Sequence, residues 1–167
     1  YVQKRPGLRH AYIEAMPHVK SDCVIVFSPD GNSMPEKIPE VVKAMQQGCD
    51  MVICSRYLDD AKSYDDDPIT KFGNWLFTKL INIIHNGCYT DSMVMYRGIK
   101  KSVFMKLGLN SDEPFRLPER WFRTELCLMP LLSIRAARMK IKVKEIPADE
   151  PKRIGGERKL KIVRWGL

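Results

Sequence analysis

The segment Asp22-Cys23-Val24-Ile25-Val26-Phe27-Ser28-Pro29-Asp30-Gly31-Asn32 limits the fold most, because an apolar run ends at once in a carboxylate set among turn-forming residues. Cys23 to Phe27 is β-branched and aromatic without polar alternation, so it predicts a central strand covered on both faces. Pro29 and Gly31 break it. In open α/β sheets ligands gather outside the carboxyl ends of strands, which puts Asp30 where a divalent cation and a phosphate are handled. Ser-Pro-Asp-Gly-Asn is equally ordinary turn chemistry, so the local sequence alone leaves ligand and turn open.

Further elements place this strand in an α/β order. Gly7 to Ala15 predicts a helix ending near Pro17. Pro35 opens a second one, with apolar positions 38, 41, 42 and 45 at helical spacing and Gly48 at its end. Met51 to Cys54 is the next strand, so strand, helix and strand predict a right-handed parallel crossover ending at Ser55-Arg56-Tyr57. Residues 58–68 are acidic and turn-rich and predict a solvated loop.

Ile69 to His85 predicts a long helix of unusual composition. Phe72, Trp75, Leu76, Phe77, Leu80, Ile81, Ile83 and Ile84 cover more than half its circumference, and Asn74, Thr78, Asn82 and His85 form a narrow polar stripe. Such a helix is either deeply buried or rests on lipid. Ser92 to Tyr96 then predicts a strand, Lys100 to Leu107 a short helix, residues 110–118 a link, and Glu119 to Ala137 a helix kinked by Pro130. Ile141, Val143 and Ile146, alternating with Lys140, Lys142 and Lys144, predict an edge strand.

The net charge of +8 is uneven, since residues 131–167 hold 11 Lys and Arg against 4 Asp and Glu. That points to an anionic partner near the C-terminus. Nucleic acid fits poorly, because residues 131–164 contain no aromatic side chain on which a base could stack. A sugar-nucleotidyltransferase would need a glycine-rich phosphate loop, and none is visible. The 5 cysteines show no C-x-x-C pair and read as free thiols in a reducing compartment, and the 3 histidines are not spaced as a metal site. No run of eighteen or more apolar residues occurs.

Six short motifs, in order, resemble family-2 glycosyltransferases of the GT-A fold, above all the dolichyl-phosphate mannosyltransferase and undecaprenyl-phosphate glycosyltransferase branch. They are Gly7-Leu8-Arg9-His10-Ala11, Ser28-Pro29-Asp30-Gly31-Asn32 at the place of the Asp-x-Asp motif, and Cys54-Ser55-Arg56-Tyr57. Gly73-Asn74-Trp75-Leu76-Phe77-Thr78 follows, then Thr90-Asp91-Ser92-Met93 with Tyr96-Arg97, and last Gly155-Gly156-Glu157-Arg158-Lys159-Leu160. The resemblance implies a mixed, mostly parallel α/β sheet flanked by helices. It implies a partial catalytic domain over 1–150, lacking the first part of the nucleotide-binding half, and over 151–167 a basic loop leading toward a C-terminal, membrane-associated segment.

The implied activity is inverting sugar transfer from a nucleoside-diphosphate sugar, with Mg2+ or Mn2+, to a polyprenyl phosphate or a glycan at the cytoplasmic face of a membrane. The membrane contact would run through residues 69–85. Asp30 would hold the metal, with Asn32 completing the site or meeting the sugar. Asp91 and Glu125 would be the catalytic carboxylates. Arg56, Arg97, Arg153, Arg158 and Lys159 would contact substrate. Ser28 departs from the family pattern by replacing the usual first Asp, so only one carboxylate of the pair remains.

Overall fold

In a computed structural model, residues 2–123 and 126–154 are described. Four strands form one sheet in the order β1-β3-β2-β4: β1 (Cys23–Val26), β2 (Met51–Ser55), β3 (Arg97–Lys100) and β4 (Val143–Pro147). The helices are α1 (Leu8–Ala15), α2 (Ile38–Gln46), α3 (Pro68–His85), α4 (Lys101–Lys106), α5 (Glu113–Phe122) and α6 (Leu128–Arg138).

β1 and β2 run the same way, as the crossover requires, yet they do not touch. β3 lies between them, antiparallel to both, with Cys23 opposite Lys100 and Met51 opposite Ile99. Only β2 and β4 pair in parallel. Three of the four strands thus share a direction, and the one against them creates two antiparallel ladders.

The fully buried central strand is β2, every residue of which is inaccessible. β1, expected in that place, is an edge of the described sheet and only half-buried. β4 forms the opposite edge, with Lys142 and Lys144 outward and Ile146 inward. α2 lays Val41, Ala44 and Met45 on the sheet, while Val42 turns outward. Its approach depends on Gly98, where a Cβ would meet Val41 Cγ1 at 2.6 Å.

Two sequence expectations shift. Ser92 to Tyr96 is not a strand; the ladder starts at Arg97, because the backbone of 91–94 is bent around the Asp91 side chain, which accepts from the Met93 and Val94 amides. The helix expected over 119–137 is two helices. α5 ends at Arg123 in a left-handed conformation with φ 51°, and Pro130 falls in the first turn of α6, where a proline costs no hydrogen bond and makes no kink. α1 is joined to α5 by the Arg9–Glu119 ion pair, and Arg9 lies 4.4 Å over the Phe115 ring.

α3 is oriented with its polar stripe inward. Asn74, Thr78 and Ile81 are its buried residues, whereas Phe72, Trp75, Phe77, Ile83 and Ile84 are exposed, Ile83 by 75%. Its start is fixed by Asp67, which accepts from the Thr70 amide at 2.9 Å. No helix among the described residues is long and apolar enough to cross a membrane.

Candidate active site

The ends of β1 and β2 and the segment after β4 converge on one cleft lined by Ser28, Asn32, Ser33, Arg56, Tyr96 and Glu150. Asp30 follows β1 at its rim. Its Oδ1 accepts from Ser28 Oγ at 2.7 Å and from the Asn32 amide at 3.3 Å, so these two donors orient the carboxylate. Oδ2 faces Arg153 Nη1 at 4.0 Å. Asn32 donates to Glu150 at 3.5 Å.

Arg56, at the end of β2, is the hub of the cleft. Its Nε and Nη2 clasp Asp91 at 2.6 and 3.1 Å, and its Nη1 reaches Asp66 at 3.2 Å and Glu150 at 3.1 Å. Burial works to lower the Arg56 pKa, but the three carboxylates, Asp91 foremost, outweigh it and raise the value above that of a free guanidinium. Asp91 is fully buried. Burial would raise its pKa, yet the Arg56 charge and hydrogen bonds hold it below the usual carboxylate value. Its Oδ1 also accepts from Asn74 Nδ2 at 3.2 Å. Both oxygens of Asp91 are thus occupied by donors of the protein itself.

The turn that carries Asp91 is held from beneath by Glu145 of β4. Its carboxylate accepts from the Thr90 amide at 2.8 Å, Thr90 Oγ1 at 2.9 Å and the Asp91 amide at 3.1 Å. Burial raises its pKa more than these donors lower it. Sequence reasoning passed over Glu145, although one signal existed, a lone carboxylate at a strand position in a segment of alternating lysines. Thr78 and Ser92 continue the network, with Oγ atoms 2.9 Å apart.

Arg97, expected to meet substrate, lies in the interior. Its guanidinium donates to the Val94 carbonyl at 2.7 Å, the Ser92 carbonyl at 2.6 Å and Ser133 Oγ at 2.9 Å, joining the 92–97 segment to α6. It is 1% exposed, and burial lowers its pKa. Three of its five N–H donors are engaged there, so the Arg97 side chain is placed among the core residues and away from the surface of the cleft. Arg153 does stand at the rim, clasping Asp65 at 3.0 and 2.5 Å. Glu125, Arg158 and Lys159 lie outside the described residues.

Among the described residues no group of three or more His, Cys, Asp and Glu side chains is placed to hold a metal ion. The single directed carboxylate of Asp30 still fits a hard cation whose shell is completed by phosphate oxygens and water, as Mg2+ commonly is bound. The residues therefore suit an ion that arrives with a diphosphate, not one kept in a protein cage.

The fold is shared with solved structures. Glucosyl-3-phosphoglycerate synthase from Mycobacterium tuberculosis, in complex with Mn2+, UDP-glucose and glycerol 3-phosphate, superposes with a TM-score of 0.54 at 16% identity, covering 98% of this chain and 52% of that one. The same enzyme with phosphoglyceric acid gives a TM-score of 0.54 at 14% identity, covering 97% and 51%. The chain thus spans about half the length of these structures, and the likeness is one of fold, the GT-A arrangement. At the level of sequence, residues 1–108 match the Glycosyl transferase family 2 profile. That match spans more than half of the chain, and it shows the family: the chain belongs to glycosyl transferase family 2.

Proposed function

We propose that these residues form part of an inverting glycosyltransferase that moves a sugar from a nucleoside diphosphate to a phosphate-bearing acceptor. The observation that carries this is Asp30, held by Ser28 and the Asn32 amide so that Oδ2 points to the rim of the cleft. In the reaction the bond between sugar C1 and the diphosphate oxygen breaks, its electron pair leaves with the nucleoside diphosphate, and an acceptor oxygen bonds to C1 from the opposite face. Mg2+ or Mn2+, bound at Asp30, would neutralise charge on the departing diphosphate. Asn32 meets the sugar or the ion, and Arg153 lies at the same rim to meet phosphate oxygens.

Asp91 serves as a positioning group for Arg56 in this reading, because its oxygens are filled and its burial leaves no approach for an acceptor proton. An acceptor that is already anionic needs no base. That favours a phosphate oxygen as nucleophile, and the apolar outward face of α3 favours a lipid that carries it, a polyprenyl phosphate at a membrane surface. The structural relative bound to glycerol 3-phosphate keeps a second reading in view, a small phosphorylated acceptor attacking through a hydroxyl. That route requires a base, and Glu125 is the candidate for it.

The test is transfer by the full-length protein across a panel of nucleotide sugars with Mg2+ or Mn2+, offering polyprenyl phosphate and glycerol 3-phosphate as acceptors. Asp30→Ala should abolish transfer while costing about 1 kcal/mol in urea unfolding, since it removes the acceptor of the Ser28 hydroxyl and the Asn32 amide without touching the core. Undiminished activity in that variant would remove Asp30 from the site. Transfer to glycerol 3-phosphate but not to the lipid would select the second reading.

A further inference from the structure

The segment after β4 folds back over the Asp30 turn as a short strap. The Ile154 amide donates to the Asp30 carbonyl at 2.9 Å. The Ile154 side chain fills the space beside Gly31, whose φ of 85° and missing Cβ allow the approach; a Cβ there would sit 2.6 Å from Ile154. The same strap is zipped to the acidic loop, with the Tyr64 amide donating to the Glu150 carbonyl and the Glu150 amide to the Lys62 carbonyl, both at 2.9 Å. Beside Arg56, which pairs with Glu150 and Asp66, the assembly holds a second paired cation, Arg153. It clasps Asp65 and turns Nη1 toward Asp30 Oδ2, the one oxygen of that carboxylate that neither Ser28 nor Asn32 occupies.

We propose that Arg153 governs cation occupancy at Asp30: its guanidinium holds the place of the divalent ion until a nucleoside diphosphate brings that ion in, and the strap 151–154 moves aside in the exchange. The inference rests on Asp30 as the metal ligand. One carboxylate beside an arginine is a poor site for a free dication, since like charges repel at that range. Once a diphosphate is present the balance reverses. The ion arrives with its own anionic oxygens, and the displaced guanidinium gains them as bidentate partners in place of Asp65. Metal and nucleotide then bind with positive cooperativity, and neither binds well alone. The Ser28 replacement fits the same logic. With a hydroxyl where a second carboxylate is usual, a single guanidinium suffices to balance Asp30.

The experiment counts free Mn2+ by electron paramagnetic resonance in titrations of the full-length protein, with and without UDP and GDP. The wild type should bind Mn2+ weakly until the diphosphate is added. Arg153→Gln should tighten nucleotide-independent Mn2+ binding about tenfold, the effect of removing one partly screened charge, and Arg153→Lys should stay near the wild type because the charge persists. Hydrogen exchange of the Ile154 amide, which is bonded to the Asp30 carbonyl in the free protein, should speed when Mn2+ is added with diphosphate, as that bond opens.

Equal Mn2+ affinity in wild type and Arg153→Gln, or unchanged exchange on loading, would overturn the proposal while leaving Asp30 as a ligand. If Asp30→Ala binds Mn2+ and diphosphate as the wild type does, the metal-site reading itself falls, and this inference with it.

Discussion

At the residue scale the decisive pair is Arg56 and Asp91, clasped in the interior below the cleft. Removing one partner of a buried pair leaves the other desolvated and uncompensated, so Asp91→Asn should cost about 3 kcal/mol in urea unfolding, at the low end for such pairs because Asp66 and Glu150 still face Arg56. Acid separates the two buried carboxylates by sign. The Asp91 pKa lies below its ordinary value, so the stability it contributes is present above the unfolded pKa of about 3.9 and is lost only as pH falls through the lowered folded value. The Glu145 pKa is raised, so its contribution is greatest below the unfolded pKa of about 4.3 and declines as pH rises through the folded value. Glu145→Gln should therefore flatten the stability profile just above that pH, read from urea midpoints at successive pH values, while the acid limb set by Asp91 stays in place.

At the scale of elements α3 inverts the usual rule of substitution. Its inward side chains are hydrogen-bonded to the Asp91 turn, through Asn74 to Asp91 and through Thr78 to both the Ser92 hydroxyl and amide. Thr78→Val should cost about 1–2 kcal/mol by leaving those buried groups unpaired, although it makes the helix more apolar. Ile83→Glu, a charge on a helix that reads as a greasy segment, should change stability by no more than about 0.5 kcal/mol. Thermal melts of the two variants check both signs. The same Ile83→Glu variant should lose flotation with anionic vesicles if the outward face rests on lipid, because a carboxylate adds both desolvation cost and repulsion there. α3 carries Lys71 and Lys79 and no Asp or Glu, which suits such a surface.

At the scale of the whole molecule, what the sequence displayed and what it hid divide along physical lines. β2, α2 and the strand-end turn at Asp30 were legible because each is written in contiguous residues: an apolar run, a helical spacing, a proline and a glycine. The family motifs were legible for the same reason. β3 was misplaced by several residues because Met93 to Tyr96 is apolar enough for a strand, and only the Asp91 side chain, capping its own turn, prevents it. The break between α5 and α6 was hidden because periodicity persists across a left-handed residue. Periodicity gave the two faces of α3 correctly but not which of them faces the protein. That was settled by hydrogen-bond demand from a loop, a contact between residues 14 to 17 positions apart that no local pattern encodes. Arg97 misled for the same reason, since its partners come from another helix.

The insertion of β3 between β1 and β2 also sets the order in which the chain acquires structure. Cys23 pairs with Lys100, and Met51 with Ile99, so the β1–β3 and β2–β3 ladders of the described sheet form only once the polypeptide has been made past residue 100. Closing loops of that span is entropically slow compared with forming α2 or α3. During synthesis the Asp30 turn, the helix that covers the sheet and the apolar segment 68–85 therefore all exist before the strand that fixes them. Nascent chains arrested before Arg97 should be cleaved readily by added protease, and those extended past β4 should resist it. Until β3 is in place, the apolar residues of β2 and the inward face of α2 lack the sheet neighbour that covers them.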